Sequence, residues 1–338
     1  MARSSTKGWS RRTSGQGGKR AHGCSKFRLT VEPRPGHATI NLLERTVDIS
    51  KDAGVRDAVR IAGSSAGPRV VMFSGVHGDE VSGIHALEKL FFDLYAGTRV
   101  LHRGSLMLVR ANEYAMAQER RYVKHNLNRM FREDYGAEID RSSYELVRVQ
   151  ELKPLLKNCD YFFDFHSAPI AQEPFLVAEK QCVDFYSRLG IPRIISGWNK
   201  FSGGAIGGDA ENYANAQGAI SATLESGSHF DKGSNDVAYK AAVSLLSVLE
   251  MVEPGEKPSW TPCDIFEMYA VVVKESDDFH YAGPVRNFQF VKANDVFAFQ
   301  GGGPLRVRED SYLLIPMKPE DTKTREEVCY LGRKAAQV

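Results

Sequence analysis

The stretch Val70–Glu80, VVMFSGVHGDE, carries a continuous apolar run directly into a His-x-x-Glu pair with glycines close by. An unbroken apolar run of this kind is typical of a central strand that is buried on both faces of a sheet. The turn after such a strand lets His77 and Glu80, three residues apart, point the same way. Catalytic zinc ions commonly bind two histidines and a glutamate, so the segment predicts a buried strand followed by two metal ligands.

The His-x-x-Glu spacing has little weight by itself, because a second copy, His85-x-x-Glu88, follows eight residues later. That copy lies in Val81–Leu94, whose pattern predicts a helix, and its two side chains are expected on a solvated helix face. His77 differs because glycines flank it and an apolar strand precedes it. A metal-ligand role for His77 and Glu80 is therefore preferred over a structural turn.

The composition is that of a globular chain with an unusual N-terminus. Its 338 residues are 42% hydrophobic and 25% charged, which predicts one large α/β domain with a smaller addition, and no apolar run is long enough to span a membrane. The first 28 residues contain eight Lys and Arg and no acidic residue, so the remainder has 36 basic and 42 acidic residues, a net charge of about −6. Residues 1–27 are therefore expected to form a disordered basic tail.

The basic tail admits more than one interpretation. A disordered extension, or a start codon assigned too far upstream, is preferred over binding to nucleic acid or an anionic surface. Arg11-Arg12 resembles a twin-arginine signal, but no hydrophobic stretch follows it, so export is rejected. The five cysteines are scattered without a C-x-x-C pair, which argues against a disulfide framework and a cysteine zinc site. The chain is predicted to be cytoplasmic with no membrane partner, and a homo-oligomer is compatible with the sequence.

Alternating strand and helix signals predict the main part of the fold. Strands are predicted at Lys26–Glu32, Ala38–Val47, Arg69–Ser74, Ser105–Arg110, Tyr161–Phe165, Pro174–Ala178, Arg193–Ser196 and Ala219–Leu224. Helices are predicted at Val81–Leu94, Ser142–Leu156 and Asn235–Val252. The Gly-rich stretch Ser202–Gln217 is expected to be a surface loop. This order predicts a mixed, mostly parallel α/β sheet flanked by helices, with ligands bound beyond the carboxyl ends of its strands.

A smaller all-β domain is predicted after the linker Glu253–Pro262. Its short strands are predicted at Phe266–Lys274, Val285–Val291, Val296–Phe299, Leu305–Val307 and Tyr312–Pro316. The chain is thus expected to divide into a catalytic domain at 28–253 and a C-terminal β domain at 263–338.

A third metal ligand is predicted at the end of another apolar strand, Tyr161-Phe-Phe-Asp-Phe-His166. Asp164 lies two residues earlier on the same face, where it could accept the second ring N–H of His166 or orient a neighbouring ligand. By itself His166 would be interpreted as a satisfied histidine at a strand end. With His77 and Glu80 already assigned, the ligand interpretation is preferred, and one Zn²⁺ ion per chain is predicted at these three residues.

A general base is predicted at Glu225, which follows the strand Ala219–Leu224. A carboxylate near the metal, but not bound to it, could take a proton from zinc-bound water and pass it to a leaving amine. A glutamate before Ser-Gly could also simply cap a turn, and the spacing alone does not separate these interpretations.

The segment Asn112–Phe131 follows a predicted strand and is rich in fixed positive charge. Arg121 could polarise a scissile carbonyl and stabilise the oxyanion of its transition state. Asn128 and Arg129 combine an amide with a planar guanidinium fork, a geometry that can hold a substrate carboxylate. A solvated basic surface helix explains the same spacing equally well.

Four motifs in order resemble the succinylglutamate desuccinylase/aspartoacylase family, a branch of the zinc carboxypeptidase-like fold. They are Gly75-Val-His-Gly-Asp-Glu80, Arg121-Tyr122 with Leu127-Asn-Arg-Met-Phe131, Asp164-Phe-His166 and Thr223-Leu-Glu225. The resemblance runs from about Arg69 to Val252, and the C-terminal β domain resembles that of the family more faintly. It implies a zinc carboxypeptidase-like catalytic domain and a β domain that narrows the cleft to small substrates.

The resemblance also implies roles for the matched residues. His77, Glu80 and His166 fall at the zinc ligands of the family, and Glu225 falls at its general base. The implied chemistry is hydrolysis of the amide bond of a small N-acyl amino acid by zinc-bound water that Glu225 activates.

For the basic segment, the resemblance implies that Arg121 polarises the scissile carbonyl and that Asn128 and Arg129 grip the α-carboxylate of the amino acid. The chain departs from the common residues of the family in three places. The family often has Pro near the position of Tyr114 and Asp at that of Asn126, and it commonly has Leu where Phe165 stands. Asn126 is the departure to examine, because it lacks the negative charge that Asp would place beside Asn128 and Arg129, the pair that we call the carboxylate clamp.

Two other functions remain open at this stage. A metallocarboxypeptidase would use the same ligands on short peptides, with Asn128 and Arg129 holding the terminal carboxylate. A non-catalytic binding protein could keep the fold, but the complete ligand set with Glu225 disfavours it. Neither the acyl group nor the amino acid follows from the sequence.

Overall fold

The computed structural model describes residues 47–48, 55–135, 139–169, 172–201, 207–253 and 262–337. The predicted basic tail at 1–27, the strand Lys26–Glu32, nearly all of Ala38–Val47 and most of the linker Glu253–Pro262 lie outside these residues.

The described strands form one large sheet and one small sheet. In chain order they are β1 (Val47–Asp48), β2 (Ala58–Ala62), β3 (Ser65–Ser74), β4 (Arg103–Arg110), β5 (Tyr161–Ala168), β6 (Phe175–Val177), β7 (Arg193–Ser196), β8 (Ile220–Ser228), β9 (Asp264–Val273), β10 (His280–Tyr281), β11 (Gln289–Val291), β12 (Val296–Gln300), β13 (Gly303–Arg306), β14 (Ser311–Leu314) and β15 (Glu327–Gln337). The large sheet has the order β1-β2-β4-β3-β5-β8-β6-β7-β9-β15-β14-β11, and β10, β12 and β13 form a separate antiparallel sheet. The predicted fold class is confirmed.

Parallel pairing dominates the centre of the large sheet. Strands β4, β3, β5 and β8 run parallel to one another, and β6 then pairs with β8 in the opposite direction. Strands β6, β7 and β9 are again parallel. Beyond them the sheet is antiparallel, as it is at β1 and β2. The carboxyl ends of β3, β5 and β8 therefore meet at one edge of the sheet, where ligands bind in folds of this kind.

Helices cover both faces of this sheet. The described α-helices are α1 (Val81–Tyr95), α2 (Glu113–Met116), α3 (Tyr144–Lys157), α4 (Val183–Tyr186), α5 (Ala210–Ala216) and α6 (Lys232–Val248). Met72 of β3 packs with Leu90 and Leu246 on one face, whereas Phe73 packs with Leu152 on the other. Successive strand side chains point to opposite faces, so a strand covered on both sides has to be apolar throughout.

No helix in the described ranges combines the length and the apolar character needed to cross a membrane.

The expectation of a surface loop at Ser202–Gln217 is wrong for its second half, which forms α5. The side chain of Asp209 caps this helix by accepting from the backbone N–H of Asn212 over 2.8 Å. Tyr213 and Ala214 are buried against the sheet. Burial of one side of a short helix outweighs the weak helix propensity of its Gly- and Asn-rich surroundings.

The alternative of a basic surface helix at Asn112–Phe131 is also wrong. Only α2 and a single 3-10 turn at Leu127–Arg129 are helical there. The buried carboxylate of Glu145 accepts from the backbone N–H groups of Val123 and Lys124, at 2.7 and 3.1 Å, and so holds the intervening loop against α3.

Strand β15 was not predicted, although it is the longest described strand and pairs with β9 along its length. Gly332, Arg333 and Lys334 interrupt its apolar pattern, so the sequence signal for a strand is weak. Strand β9 also pairs with β7, so the strands after the linker extend the large sheet. The predicted division into domains at 28–253 and 263–338 stays a prediction.

Candidate metal centre and active site

The turn after β3 presents His77 and Glu80 at the carboxyl edge of the sheet. Gly75 has a φ of +63°, which favours glycine, and a Cβ atom on Gly78 would lie 2.2 Å from the backbone carbon of Ala115. Both glycines are therefore required by the path of the turn. Glu80 stands at the N-cap of α1, where the helix dipole favours a negative charge.

His77, Glu80 and His166 lie together in the structure and are each almost fully buried. Oε1 of Glu80 is 2.8 Å from Nδ1 of His77, and Oε2 is 2.9 Å from Nδ1 of His166. The two Nδ1 atoms are 3.2 Å apart. A tetrahedral ion with bonds of about 2.0–2.1 Å holds its ligands roughly 3.3 Å apart. The separations of 2.8, 2.9 and 3.2 Å are somewhat shorter than this, so the donor atoms converge on one point and would move apart slightly around an ion.

The second ring nitrogen of each histidine is held by an oxygen. Nε2 of His166 lies 2.9 Å from Oδ2 of Asp164, and Nε2 of His77 lies 3.1 Å from Oδ1 of Asn126. The same Asn126 oxygen accepts from the backbone N–H of Asn128, which identifies it as the amide oxygen. Each histidine therefore donates from Nε2 and directs Nδ1 towards Glu80.

This arrangement leaves no hydrogen for the contact between Nδ1 of His77 and Oε1 of Glu80. Burial, and then the charge of Arg121, lower the pKa of His77 to about 3, so its ring is neutral and has one N–H. If that hydrogen is on Nε2 and bonded to Asn126, a nitrogen lone pair faces the Glu80 carboxylate at 2.8 Å. Two acceptors at this distance are reconciled by a cation between them. The donor set of two imidazoles and one carboxylate thus fits Zn²⁺.

Glu225 lies directly beside this group. Strands β5 and β8 pair with His166 opposite Glu225, and Oε2 of Glu225 is buried with no hydrogen-bond partner among the described residues. Burial, and then the negative charge of Glu80, raise the pKa of Glu225 to about 8. With no cation at the donor group, this carboxyl therefore keeps its proton to a higher pH than an ordinary glutamate does.

Arg121 connects the basic segment to the group. Its Nη1 donates to Oε1 of Glu80 over 3.1 Å, and nearly half of its side chain is exposed. The backbone carbonyl of Arg121 also accepts from the N–H of Gly78. The guanidinium consequently lies at the open side of the group, within reach of a ligand bound there.

Asn128 and Arg129 lie in the same cavity, but other protein groups already engage them. Oδ1 of Asn128 accepts from the backbone N–H of Ala210 at the start of α5. Nη2 of Arg129 donates to Oε1 of Glu327 over 2.7 Å, and Nη1 donates to the backbone carbonyl of Asn128. Sequence reasoning did not find Glu327, because it lies on the unpredicted strand β15.

One cavity of about 110 Å³ is lined by both histidines of the donor group, by Glu225 and by the three residues of the basic segment. Its lining comprises His77, Arg121, Asn128, Arg129, His166, Val177, Trp198, Asp209, Glu211, Thr223, Glu225, Ile315, Met317 and Tyr330. Sequence reasoning missed Asp209 and Glu211, which lie in the segment expected to be a loop, and Tyr330, which lies on β15. The ring of Tyr330 is fully buried, and its hydroxyl has no hydrogen-bond partner in the described chain.

Two histidines and a glutamate lie together at the carboxyl edge of the parallel strands. The protein is therefore an α/β protein with a candidate metal centre at the edge of its sheet. Residues 66–251, more than half of the chain, match the succinylglutamate desuccinylase/aspartoacylase catalytic domain. The chain belongs to this family, which confirms the resemblance seen in its motifs. The family comprises hydrolases that act on small N-acyl amino acids.

Individual relatives and structures agree with this assignment. A succinylglutamate desuccinylase from Pseudoalteromonas atlantica is 26% identical over 273 residues, which cover 73% of this chain and 76% of the relative. The crystal structure of succinylglutamate desuccinylase from Vibrio cholerae has a TM-score of 0.68 at 21% identity and covers 82% of this chain and 86% of its own. The product-bound structure of the ectoine utilization protein EutE from Ruegeria pomeroyi has a TM-score of 0.62 at 20% identity. The match covers 81% of this chain and 88% of the EutE chain. At these identities the structures show a shared fold.

Proposed function

We propose that this protein is a zinc-dependent amidohydrolase that removes a small acyl group from an N-acyl amino acid. The observation that carries the proposal is the position of the Glu225 carboxyl, which lines one cavity with His77 and His166, two members of the donor group that Glu80 completes. Family membership supports the reaction class. The small volume of the cavity, about 110 Å³, favours a small substrate over a longer peptide.

The ion would be held by Nδ1 of each histidine, His77 and His166, and by a carboxylate oxygen of Glu80. Zn²⁺ bound there supplies a Lewis acid that acidifies water and polarises a carbonyl oxygen. Asp164 and Asn126 orient the two imidazoles through their Nε2 atoms. Loss of a residue that orients a metal ligand in this way commonly lowers metal affinity or activity by roughly 10- to 100-fold.

Glu225 is the proton carrier in this proposal. Its Oε2, unpartnered within the described chain, takes a proton from the attacking water and gives it to the departing amine. The raised pKa of about 8 describes the carboxyl beside the negative Glu80. A cation held by Glu80 would offset that charge and lower the pKa of Glu225, so that the carboxylate form is available as a base.

Three side chains are assigned to the substrate. Arg121 would donate to the scissile carbonyl oxygen as negative charge develops on it. The amide of Asn128 and the guanidinium of Arg129 would hold the α-carboxylate of the amino acid. In this role Arg129 shares its charge between the substrate and Glu327, which keeps the guanidinium fork in a fixed orientation.

The proposal includes a cytoplasmic location. The four cysteines in the described residues are free and buried, which is typical of proteins in reducing compartments.

The experiment that tests the function uses the purified, zinc-loaded protein with N-acetyl and N-succinyl amino acids and with dipeptides. We expect hydrolysis of N-acyl amino acids at a higher kcat/KM than that of dipeptides. Glu225→Gln should keep bound zinc and lose turnover by roughly 100- to 10,000-fold. Glu88→Gln, at an exposed position on α1, is the matched control and should keep its activity.

Each contrary result has a definite meaning. Near-normal turnover of Glu225→Gln would show that another group is the base. Preference for dipeptides would indicate a metallocarboxypeptidase, and the absence of both bound zinc and hydrolysis would indicate a binding protein.

A further inference from the structure

Two buried carboxylates form part of the wall of the active-site cavity without being used in the proposed reaction. Asp209 and Glu211 lie at the start of α5 and are 5% and 2% exposed. Glu179, which is 2% exposed, is close enough for its charge to act on both of them. Buried carboxylates are ordinarily paired with a cation or neutralised by a proton, so a cluster of three requires an explanation.

The hydrogen bonds to these carboxylates come from neutral groups, which include the backbone N–H of Asn199 at 2.6 Å from Oε1 of Glu179. Asp209 accepts from the backbone and the side chain of Asn212, and Glu211 accepts from Nδ2 of Asn215 over 3.1 Å. Within the described ranges, no ion pair includes any of the three carboxylates. Burial, and then the charges of Asp209 and Glu179, raise the pKa of Glu211 well above its usual value.

The cations of the cavity are already paired elsewhere. Arg129 donates to Glu327, and Arg121 donates to Glu80. Arg129 is close enough for its charge to act on Asp209, but burial still raises the pKa of all three carboxyl groups, so protons neutralise them in part. An ammonium group beside α5 would replace those protons as the neutralising charge. An anionic side chain of a substrate would meet repulsion there, whereas a cationic one would be attracted.

A second feature points independently to a bound polar ligand. The hydroxyl of Tyr330 lines the same cavity, is fully buried and has no partner in the described chain. A buried hydroxyl without a hydrogen bond is costly, so the cavity is built to receive a polar group.

We propose that the amino-acid half of the substrate carries a positively charged side chain, and that Glu211 and Asp209 recognise its ammonium group. This inference rests on the proposed function. The amino-acid half is implicated because Oδ1 of Asn128, in the assigned carboxylate clamp, accepts from the backbone N–H of Ala210, between the two acids. The substrate class is then Nα-acyl diamino acids rather than N-acyl glutamate or aspartate.

The test compares three substrates of similar length with the zinc-loaded protein: Nα-acetyl-ornithine, N-acetyl-glutamine and N-acetyl-glutamate. We expect kcat/KM for the ornithine substrate to exceed the other two by roughly tenfold or more, since unmatched charges at a desolvated contact cost that much. Glu211→Gln should reduce the ratio of ornithine to glutamine about tenfold. Glu211→Asp, which keeps the charge, should retain part of the preference, and Glu88→Gln should leave the ratio unchanged.

A preference for the glutamate substrate, or an unchanged ratio in Glu211→Gln, would overturn the inference. Calorimetric binding of the free amino acids separates it from the proposed function. Tighter binding of ornithine than of glutamate by a protein that hydrolyses neither substrate would refute the hydrolase and support the cation site. Equal binding of the two amino acids would refute the cation site, whatever the activity.

Discussion

Arg129 and Glu327 are 198 residues apart in the chain, yet Nη2 of the arginine donates to Oε1 of the glutamate over 2.7 Å. Both side chains are mostly buried, with 21% and 11% of their surfaces exposed. The pair joins the proposed carboxylate clamp to β15, near the C-terminal end of the chain. The ion pair therefore links the clamp to a strand that backbone pairing with β9 already holds in the sheet.

Glu327→Gln should weaken both folding and substrate binding. Loss of the negative partner leaves the guanidinium of Arg129 partly buried without compensation, and we expect the free energy of unfolding to fall by about 2 kcal/mol. KM for the preferred N-acyl amino acid should rise more than kcat falls, because the clamp holds substrate in the ground state as well. Urea unfolding and steady-state kinetics measure the two effects.

Glu309→Gln is the matched control for this prediction. Glu309 pairs with Arg333 on the exposed side of β15, over 2.6 and 2.9 Å. Exposed ion pairs contribute little, so the midpoint of unfolding and KM should stay unchanged. Equal effects in the two variants would mean that the Arg129 pair has no special role.

Asn126→Leu should weaken zinc binding by roughly 10- to 100-fold, because His77 loses the oxygen that orients its Nε2. Asn126→Asp restores the residue common in the family and keeps the acceptor oxygen, so it should bind zinc at least as tightly as the parent. Competition with a chromogenic chelator measures these affinities without any activity assay. Asn158→Leu, at an exposed position after α3, is the control, and a similar loss there would contradict the assignment.

Zinc affinity should increase with pH. Burial alone would lower the pKa of His166, but the charges of Asp164 and Glu80 outweigh it and raise the pKa well above its ordinary value. His166 therefore carries an extra proton at neutral pH and below, which an ion at Nδ1 has to displace. His77, with a pKa of about 3, has none to release in this range. Affinity accordingly falls as the pH decreases.

Calorimetry in two buffers of different ionisation enthalpy checks this direction. We expect release of about one proton for each zinc ion bound near pH 7. Proton uptake, or an affinity that is constant between pH 6 and 8, would show that His166 is neutral before the metal binds.

Gly78→Ala should destabilise the protein by about 2 kcal/mol, because the added Cβ overlaps the backbone of Ala115 and the turn has to shift. The shift would also move His77 and reduce zinc affinity. Gly283→Ala is the control, since a Cβ atom there meets nothing within 4 Å. Thermal unfolding of both variants with and without zinc provides the comparison, and equal stability of the two would disprove the steric account.

The central fold was predictable because its elements are marked by local patterns. The apolar strand before His77, the helix that begins at Val81 and the strand that contains His166 were predicted close to their observed bounds. A strand buried on both faces has to be apolar, and a helix on such a sheet has to be amphipathic, so the pattern is a direct consequence of the layer architecture.

The elements that were missed have no such pattern. Helix α5 lies in a Gly- and Asn-rich stretch, and its formation depends on burial of Tyr213 and on the cap at Asp209. Strand β15 contains Gly332 and two charged residues, and its partner strand β9 holds it in the sheet. Contacts with distant segments supply the stabilisation that the local sequence lacks.

The sequence by itself determined the α/β architecture and named the residues of the candidate centre. Parallel strands deliver their last residues to one edge, and His and Glu are residue types that commonly bind zinc. Tertiary structure alone decided which nitrogen of each histidine faces Glu80, that Asn126 orients His77, and that Arg129 is paired with Glu327. It also decided the charge of the cavity beside α5. These properties depend on distances between residues far apart in the chain, and a local pattern carries no information about such distances.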